Sequence, residues 1–191
     1  VIRGSAGVST FPDLELSNVR VDGVAADEGV VRPEGGAFQL HAGQSLSITA
    51  TVKNVGDLDA ESTAVILYAN GEYAGMAALD ALASGGSQSV TIPYVPELTG
   101  SYTFTLLADG PTPKLVESDK TNNELTVQTA LVTVAYPDLS VTGLTAAAQQ
   151  DGSYLLTATV GNDGDAPCPA GLEVAFYAGG RYVGAAKTGS D

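Results

Sequence analysis

Tryptophan is absent from this sequence, and cysteine and histidine occur once each, as Cys168 and His41. A lone cysteine cannot form an intrachain disulfide, and one histidine with one cysteine falls short of the three or four clustered ligands that zinc takes. A nucleophilic triad would have to use His41, and a lone histidine on a strand is more often a solvated or core side chain. Counting acids leaves two-carboxylate glycoside hydrolysis open, but the chain has no tryptophan to serve as a sugar platform. We therefore predict that the chain is not an enzyme.

Basic residues are also scarce. Eight lysines and arginines stand against 22 aspartates and glutamates, which gives a formal net charge of −14 at pH 7. Such a surface repels the phosphates of nucleic acids and of anionic lipids, so we expect neither as a partner. No apolar run approaches the length of a transmembrane helix, about 18 residues, and we expect no membrane insertion. The composition suits a soluble protein that is secreted or displayed on the cell surface.

No segment holds an apolar 3.6-residue period for three turns, and alternation of apolar and polar residues takes its place. In SLSITATVK, one face carries only apolar residues: Leu46, Ile48, Ala50 and Val52. Further strands are predicted for SYTFTLLAD, QSVTIPY, LELSNVRVD, AVILY and the run 125–134, with turn residues between them. This pattern predicts an all-β chain whose antiparallel sheets pack as a sandwich. The Cys-Trp-Cys signature of antibody domains is missing, so the core should be aliphatic with help from tyrosine and phenylalanine.

Three segments occur twice along the chain. PDLELSNV at 12–19 returns as PDLSVTGL at 137–144, TATVKNVGD at 49–57 as TATVGNDGD at 157–165, and YANGEYAG at 68–75 as YAGGRYVG at 177–184. This tandem repeat predicts an N-terminal extension over 1–11, a β-sandwich over 12–135 and an incomplete second sandwich over 136–191. A half-sandwich leaves a sheet face and its edges uncovered. We therefore expect either a fragment of a longer array or a second domain that something else completes, and we favour the fragment.

The turns NVGDLD and NDGDAP hold equivalent places in the two copies. Gly56 and Gly164 suit positions that need a positive φ, and Asn54 and Asn162 suit the turns beside them. Because the motif recurs, we interpret it as a requirement of the fold rather than as one active site.

The segment VESDKTNNEL at 116–125 raises the question of a metal site. It is not an EF-hand, because the sixth and twelfth residues counted from Glu117 are Asn and Gln where that loop needs Gly and Glu. A looser calcium site would take oxygen ligands from two neighbouring loops: Asp109, Glu117, Asp119 and Asn122. The alternative is that Asn and Asp side chains bond their own backbone and close the turn before the last strand. We favour the turn and keep calcium as the only candidate cofactor.

The order of these motifs resembles the CARDB family, the cell-adhesion-related domains of bacteria and archaea. The matching segments are PDL at 12–14, VKNVG at 52–56, LYANGEYAG at 67–75, LASGGSQSV at 82–90, GSYTFTLLAD at 100–109 and VESDKTNNEL at 116–125. The resemblance covers 12–135 in full and 137–191 in part. It implies an immunoglobulin-like or fibronectin-III-like sandwich, strung in tandem on secreted or surface proteins and without enzymatic activity of its own. Lys120 stands where the family often has another acid, which weakens the inference of a cation site.

From the repeat, the all-β pattern and the acidic composition we predict a non-catalytic extracellular module. It would be a structural spacer or adhesive unit of a multidomain surface or secreted protein. Its partners would be other protein domains, copies of itself, or a surface polysaccharide or protein ligand. The first alternative is a subunit of an extracellular filament, in which a strand from a neighbour, such as the leading VIRGSAGVST, completes the second repeat. The second alternative is an accessory domain of a secreted hydrolase.

Overall fold

The structure, a computed structural model, describes residues 11–189, and its regular elements over that range are all β-strands. The first eleven strands are β1 Leu14–Val21, β2 Val24–Asp27, β3 Val30–Val31, β4 Phe38–His41, β5 Leu46–Asn54, β6 Thr63–Ala69, β7 Glu72–Leu79, β8 Ser87–Tyr94, β9 Thr103–Ala108, β10 Glu124–Thr129 and β11 Val132–Ala135. The last four are β12 Leu139–Ala148, β13 Tyr154–Asn162, β14 Glu173–Ala178 and β15 Arg181–Lys187. The prediction of an all-β chain is confirmed.

The chain divides into two compact units, the first ending at Val134 and the second beginning at Ala135. The extension predicted over 1–11 lies outside the described residues except for Phe11. Each unit is considered by itself below.

The first unit is a β-sandwich formed by one nine-stranded sheet that folds over itself. Its strand order is β7-β6-β9-β10-β3-β2-β1-β5-β8, and β4 and β11 form a separate two-stranded ribbon. Neighbours in the large sheet are antiparallel, except that β3 runs parallel to β10. The layer of β1, β5 and β8 and the layer of β6, β9 and β10 supply side chains to one shared core. This is the sandwich that the sequence predicts.

The alternation of apolar residues correctly predicts which side chains enter that core. On β5 the inward-facing residues are each 0% exposed: Leu46, Ile48, Ala50 and Val52. Three aromatic rings pack together beside them, with centroids 5.3 Å apart for Tyr94 and Phe104 and 5.5 Å apart for Tyr94 and Tyr102. Edge-to-face pairs of this kind stabilise a core beyond the area that they bury.

The single strand predicted over 125–134 is wrong. The structure breaks it into β10, which lies between β9 and β3, and β11, which pairs with β4. The break is held by backbone hydrogen bonds from Ala130 N–H to the Val31 carbonyl and from Phe38 N–H to the Leu131 carbonyl, both 2.9 Å long. β3 and β4 are too short to show sustained alternation, so the sequence alone does not predict these two strands, whose pairing divides the run 125–134.

The second unit consists of two hairpins, β12–β13 and β14–β15, each of which forms a two-stranded sheet. Apolar residues of β12 are largely exposed: Leu139 by 46%, Val141 by 62% and Leu144 by 64%. At the matching positions of β1 the residues are buried: Leu14, Leu16 and Val19. A cleft of about 730 Å³ opens between the two hairpins, with Leu156 and Phe176 among its lining residues.

The hairpins of the second unit share local geometry with strands of the first. Leu14 lies opposite Asn54 in the β1–β5 pair, and Leu139 lies opposite Asn162 in the β12–β13 pair. Each of these pairs contains one register shift, and so do the β6–β7 and β14–β15 pairs. The assignment of 136–191 as a partial second copy of the same domain stays a prediction.

Candidate functional site

The acid-rich loop follows β9 and returns to the start of β1. The chain turns out of the sheet at Asp109, with a φ of 59°, and at Gly110, with a φ of 58°. Asp109 is held in this uncommon conformation by its own carboxylate. Its Oδ1 accepts hydrogen bonds from the Thr63 hydroxyl at 2.7 Å and the Lys114 N–H at 3.2 Å, and its Oδ2 accepts from the Leu115 N–H at 2.9 Å. The side chain therefore ties the loop back to β6.

A second carboxylate, Glu117, joins the same loop to β1. Its Oε2 accepts from the Leu14 N–H at 2.8 Å. Its Oε1 accepts from the Asn123 amide at 2.9 Å and from the Lys120 ammonium at 3.0 Å. The Glu117 side chain is fully buried. Because β1 begins at Leu14, Glu117 fixes the point at which that strand enters the sheet.

Lys120 places its charge between the two buried carboxylates. Its Nζ lies 3.0 Å from Glu117 Oε1 and 3.6 Å from Asp109 Oδ2. Removing a carboxylate from water costs several kcal/mol unless a counter-charge and hydrogen bonds replace the lost hydration. The Lys120 ammonium and the donors described above supply both. The residue that departs from the family pattern is thus the cation of this cluster.

The other two predicted ligands make their hydrogen bonds to other residues. The Oδ1 of exposed Asp119 accepts from the N–H and the hydroxyl of Thr121, both at 2.8 Å. These bonds, the backbone one first, lower the pKa of Asp119 below its ordinary value of 3.8. Asn122 turns to Asp13 instead, and its Nδ2 donates to Asp13 Oδ1 at 2.7 Å. Within residues 11–189 no three His, Cys, Asp or Glu side chains are grouped as a metal ion requires.

Two residues that sequence reasoning did not single out complete the loop. Asp13 receives a second hydrogen bond on its Oδ2, from the Ser118 hydroxyl at 3.0 Å. Its place in the PDL motif is the signal that could have found it. Asn123 is buried and donates to Glu117, while the side-chain oxygens of Asn122 and Asn123 are buried without a protein partner. The loop is therefore a framework of carboxylates and amides that closes over the end of β1.

The repeated Asn-x-Gly turn of the first unit has a structural role. Asn54 is 0% exposed, and its Oδ1 accepts from the N–H groups of Asp13 and Gly56, both at 3.1 Å. Its Nδ2 donates to the carbonyls of Leu58 at 2.8 Å and Leu82 at 3.0 Å. One buried amide thus satisfies four backbone groups from three stretches of the chain.

Asn162 makes part of the same pattern in the second unit. Its Oδ1 accepts from the N–H groups of Asp138 at 3.0 Å and Gly164 at 3.1 Å, and its Nδ2 donates to the Ala166 carbonyl at 2.7 Å. Asn162 is exposed, unlike Asn54, so water competes for the same groups.

The expectation of a positive φ at Gly56 and Gly164 is wrong, since neither residue lies in the left-handed region. Glycine is needed there because the chain ahead of the first strand of each unit crosses directly over it. A Cβ on Gly56 would lie 2.4 Å from the carbonyl oxygen of Phe11, and one on Gly164 would lie 2.4 Å from that of Tyr136. Any larger residue would push these segments apart.

His41 and Cys168 stand outside these clusters. His41 is exposed at the end of β4, and Cys168 is a half-buried free thiol in the loop that follows β13. No helix among residues 11–189 is long and apolar enough to cross a membrane.

The fold and the loop together define a class of protein: a β-sandwich module whose acidic loop is built into its own framework. The CARDB family model matches residues 33–127. This match identifies a CARDB domain, from a family of cell-adhesion-related modules, within the first unit. No curated protein sequence matches the chain.

Three solved structures show what the chain is similar to. The CARDB domain of a Pyrococcus furiosus protein, in complex with di-metal ions, is 21% identical, with 64% of this chain and 96% of that chain covered and a TM-score of 0.49. A domain of a Methanosarcina acetivorans protein is 26% identical, with 65% of this chain and 93% of that chain covered and a TM-score of 0.47. A β-glucosidase from Listeria innocua in complex with glucose is 14% identical, with 64% of this chain and 17% of that chain covered and a TM-score of 0.39. Because these scores are below 0.5, the family assignment depends on the sequence match.

Proposed function

We propose that the chain is a non-catalytic extracellular module, a structural spacer or adhesive unit of a multidomain surface or secreted protein. The observation that supports this most directly is the use made of Asp109 and Glu117. Their oxygens accept hydrogen bonds from the protein's own backbone and side chains and share the Lys120 ammonium. A general acid or base needs an oxygen that can reach a substrate proton. These carboxylates serve the fold instead.

The test combines localisation with an activity screen. Antibody should label the native protein on intact cells or detect it in the medium, and the purified chain should turn over no glycoside, ester or peptide substrate. Glu117→Gln is the informative variant, because it should lower the free energy of unfolding and leave the activity screen blank. The proposal fails if antibody reaches the protein only after lysis. It fails equally if wild-type turnover disappears in a folded Glu117→Gln variant.

Spacer and adhesive unit are separated by binding. The immobilised chain would be exposed to surface polysaccharides and to extracellular proteins, with a chain carrying the same tag but an unrelated sandwich as the control. Saturable binding to one of these ligands identifies an adhesive unit. Absence of binding, with the module still folded, identifies a spacer.

A subunit of an extracellular filament is the second candidate. The exposed apolar residues of β12 favour it: Leu139, Val141 and Leu144. A strand from a neighbouring copy would cover them, and residues 1–10, which lie outside the described residues, are the predicted donor. Light scattering during size exclusion should then show polymers that fall to monomers when residues 1–10 are deleted. Polymers that survive the deletion argue against this donor. The third candidate, an accessory domain of a secreted hydrolase, is decided by the sequence of the flanking chain.

Calcium binding at the four predicted ligands also stays a prediction. Lys120 occupies the space between Asp109 and Glu117, so calcium would have to displace its ammonium before reaching both carboxylates. Calorimetric titration with calcium should therefore give weaker binding by the wild type than by Lys120→Met. Equal binding by the two proteins would place any calcium elsewhere.

A further inference from the structure

Two edge strands of this chain carry charges of opposite sign. β7 is the terminal strand of the nine-stranded sheet, and β15 pairs with β14 alone among the strands that the structure describes. Glu72 begins β7 and Asp80 follows its last residue, whereas Arg181 begins β15 and Lys187 ends it. β7 contains no basic residue and β15 contains no acidic one. All four charged residues are exposed.

The basic edge stands out in so acidic a chain. Acids outnumber bases by 22 to 8, yet the only two bases after Lys120 are both on β15. The ordinary role of a lysine on an edge strand is to keep other strands from pairing with it. Arg181 and Lys187 would keep a neutral or basic edge strand from pairing with β15. They would attract an acidic edge strand instead.

Each edge strand also exposes apolar surface between its charged ends. Tyr73 and Met76 of β7 are each 62% exposed, and Tyr182 of β15 is 56% exposed. Tyr182 packs edge to face against Tyr177 of β14, with ring centroids 5.8 Å apart. Exposed aromatic and methionine side chains are enriched where proteins bind one another.

We infer that β7 of one chain pairs with β15 of a second copy of this chain. Strand addition would join the backbone groups that the two edges leave unpaired. At the end of β7 two groups are already bonded, because Gln88 of β8 donates to the Ala78 carbonyl at 3.4 Å and accepts from the Asp80 N–H at 3.0 Å. In either strand direction Glu72 can lie beside a base, Arg181 or Lys187, and in the parallel direction Tyr73 also lies beside Tyr182. Because two different edges meet, the contact is heterologous, and each added chain offers a further β7 and β15. The product is an open array or a closed ring of chains. This inference does not depend on whether the module acts as a spacer or as an adhesive unit.

Charge reversal tests this contact in the full-length chain by analytical ultracentrifugation at low salt. The wild type should associate as its concentration rises. Arg181→Glu with Lys187→Glu makes both edges acidic, and Glu72→Lys with Asp80→Lys makes both basic, so each double variant should associate at least about tenfold more weakly. An equimolar mixture of the two should associate again, because every edge then meets its opposite. Salt of about 1 M should weaken the wild-type association, since the Debye length falls to about 3 Å.

A matched control separates edge pairing from net charge. Arg20→Glu with Arg32→Glu changes two exposed bases elsewhere, gives the same net charge as the first double variant, and should leave association unchanged. Circular dichroism of each variant establishes that it is folded. Deleting residues 1–10 should not affect this association, which distinguishes it from a filament built by that segment. A monomeric wild type, a control that dissociates equally, or a mixture that stays monomeric would each overturn the inference.

Discussion

Replacing Asn54 by alanine tests the claim that the Asn-x-Gly turn is part of the framework of the first unit. The substitution removes four side-chain hydrogen bonds and leaves the N–H groups of Asp13 and Gly56 and the carbonyl of Leu58 without this partner, while the Leu82 carbonyl keeps its bond from the Ala60 N–H. A net contribution of about 1 kcal/mol per hydrogen bond gives a loss of about 4 kcal/mol, because the side chain is completely buried and water cannot readily replace it. That is a large share of the 5–15 kcal/mol or so by which domains are stable.

The second unit supplies a matched control. Asn162 makes three hydrogen bonds of the same kind but is exposed, so solvent takes over its partners when it is removed. Asn162→Ala should therefore cost less than about 1 kcal/mol. Asn54→Asp would turn a buried carboxylate oxygen toward the carbonyls of Leu58 and Leu82, so it should cost more than Asn54→Ala.

Urea unfolding followed by circular dichroism measures these losses, and hydrogen exchange assigns each transition to residues before or after the boundary at Val134. With a slope of about 2 kcal/mol per molar urea, Asn54→Ala should move the midpoint of the first unit by roughly 2 M. Asn162→Ala should leave that midpoint in place. If Asn54→Ala shifts it by no more than Asn162→Ala does, burial does not decide the contribution of this amide and our reasoning is refuted.

Three other perturbations probe the same framework. Gly56→Ala should lower the free energy of unfolding by more than about 2 kcal/mol, because the added Cβ would overlap backbone atoms. Gly100→Ala is the control, since the space around Gly100 is open and no such loss is expected. Thermal unfolding of the two variants measures the difference. Lys120→Met should cost about 1–3 kcal/mol by leaving two buried carboxylates without their cation, and an equal loss in the exposed Lys114→Met would contradict this. The lowered pKa of Asp119 contributes stability that is fully present above pH 3.8, the ordinary pKa of the group, and that is lost as the pH falls through the pKa of the folded state. An NMR titration that gives Asp119 a pKa of 3.8 or more would show that the hydrogen bonds from Thr121 do not act as described.

The parts of the fold that the sequence predicts are those in which burial alternates along one strand. β5 is the clearest case, because a sheet that is buried on one face sorts successive side chains inward and outward. β3 and β4 were not predictable in this way, since two to four residues cannot display a period. Their positions depend on partners found elsewhere in the chain, and so does the break between β10 and β11.

The acidic loop shows a different limit. Its sequence reveals that acids, amides and a lysine occur together, which is why calcium and a turn were both reasonable. It does not reveal that Lys120 lies between Asp109 and Glu117, because that arrangement depends on how the loop folds back on itself. At Gly56 the residue type was informative but the reason was not, since glycine permits both a positive φ and a close backbone approach.

The hydrogen bond between Leu14 and Glu117 joins residues 103 positions apart. A polypeptide leaves the ribosome N-terminal end first, so β1 is made long before the side chain that anchors its start. The Leu14 N–H at the start of β1 therefore has no hydrogen bond to Glu117 until nearly the whole first unit has been synthesised. Contacts this distant in sequence also make folding slow, because the entropy of closing the intervening chain is lost before the contact forms. β1 can pair with β5 once residue 54 has been made, but the N–H at its start is secured only when Glu117 follows.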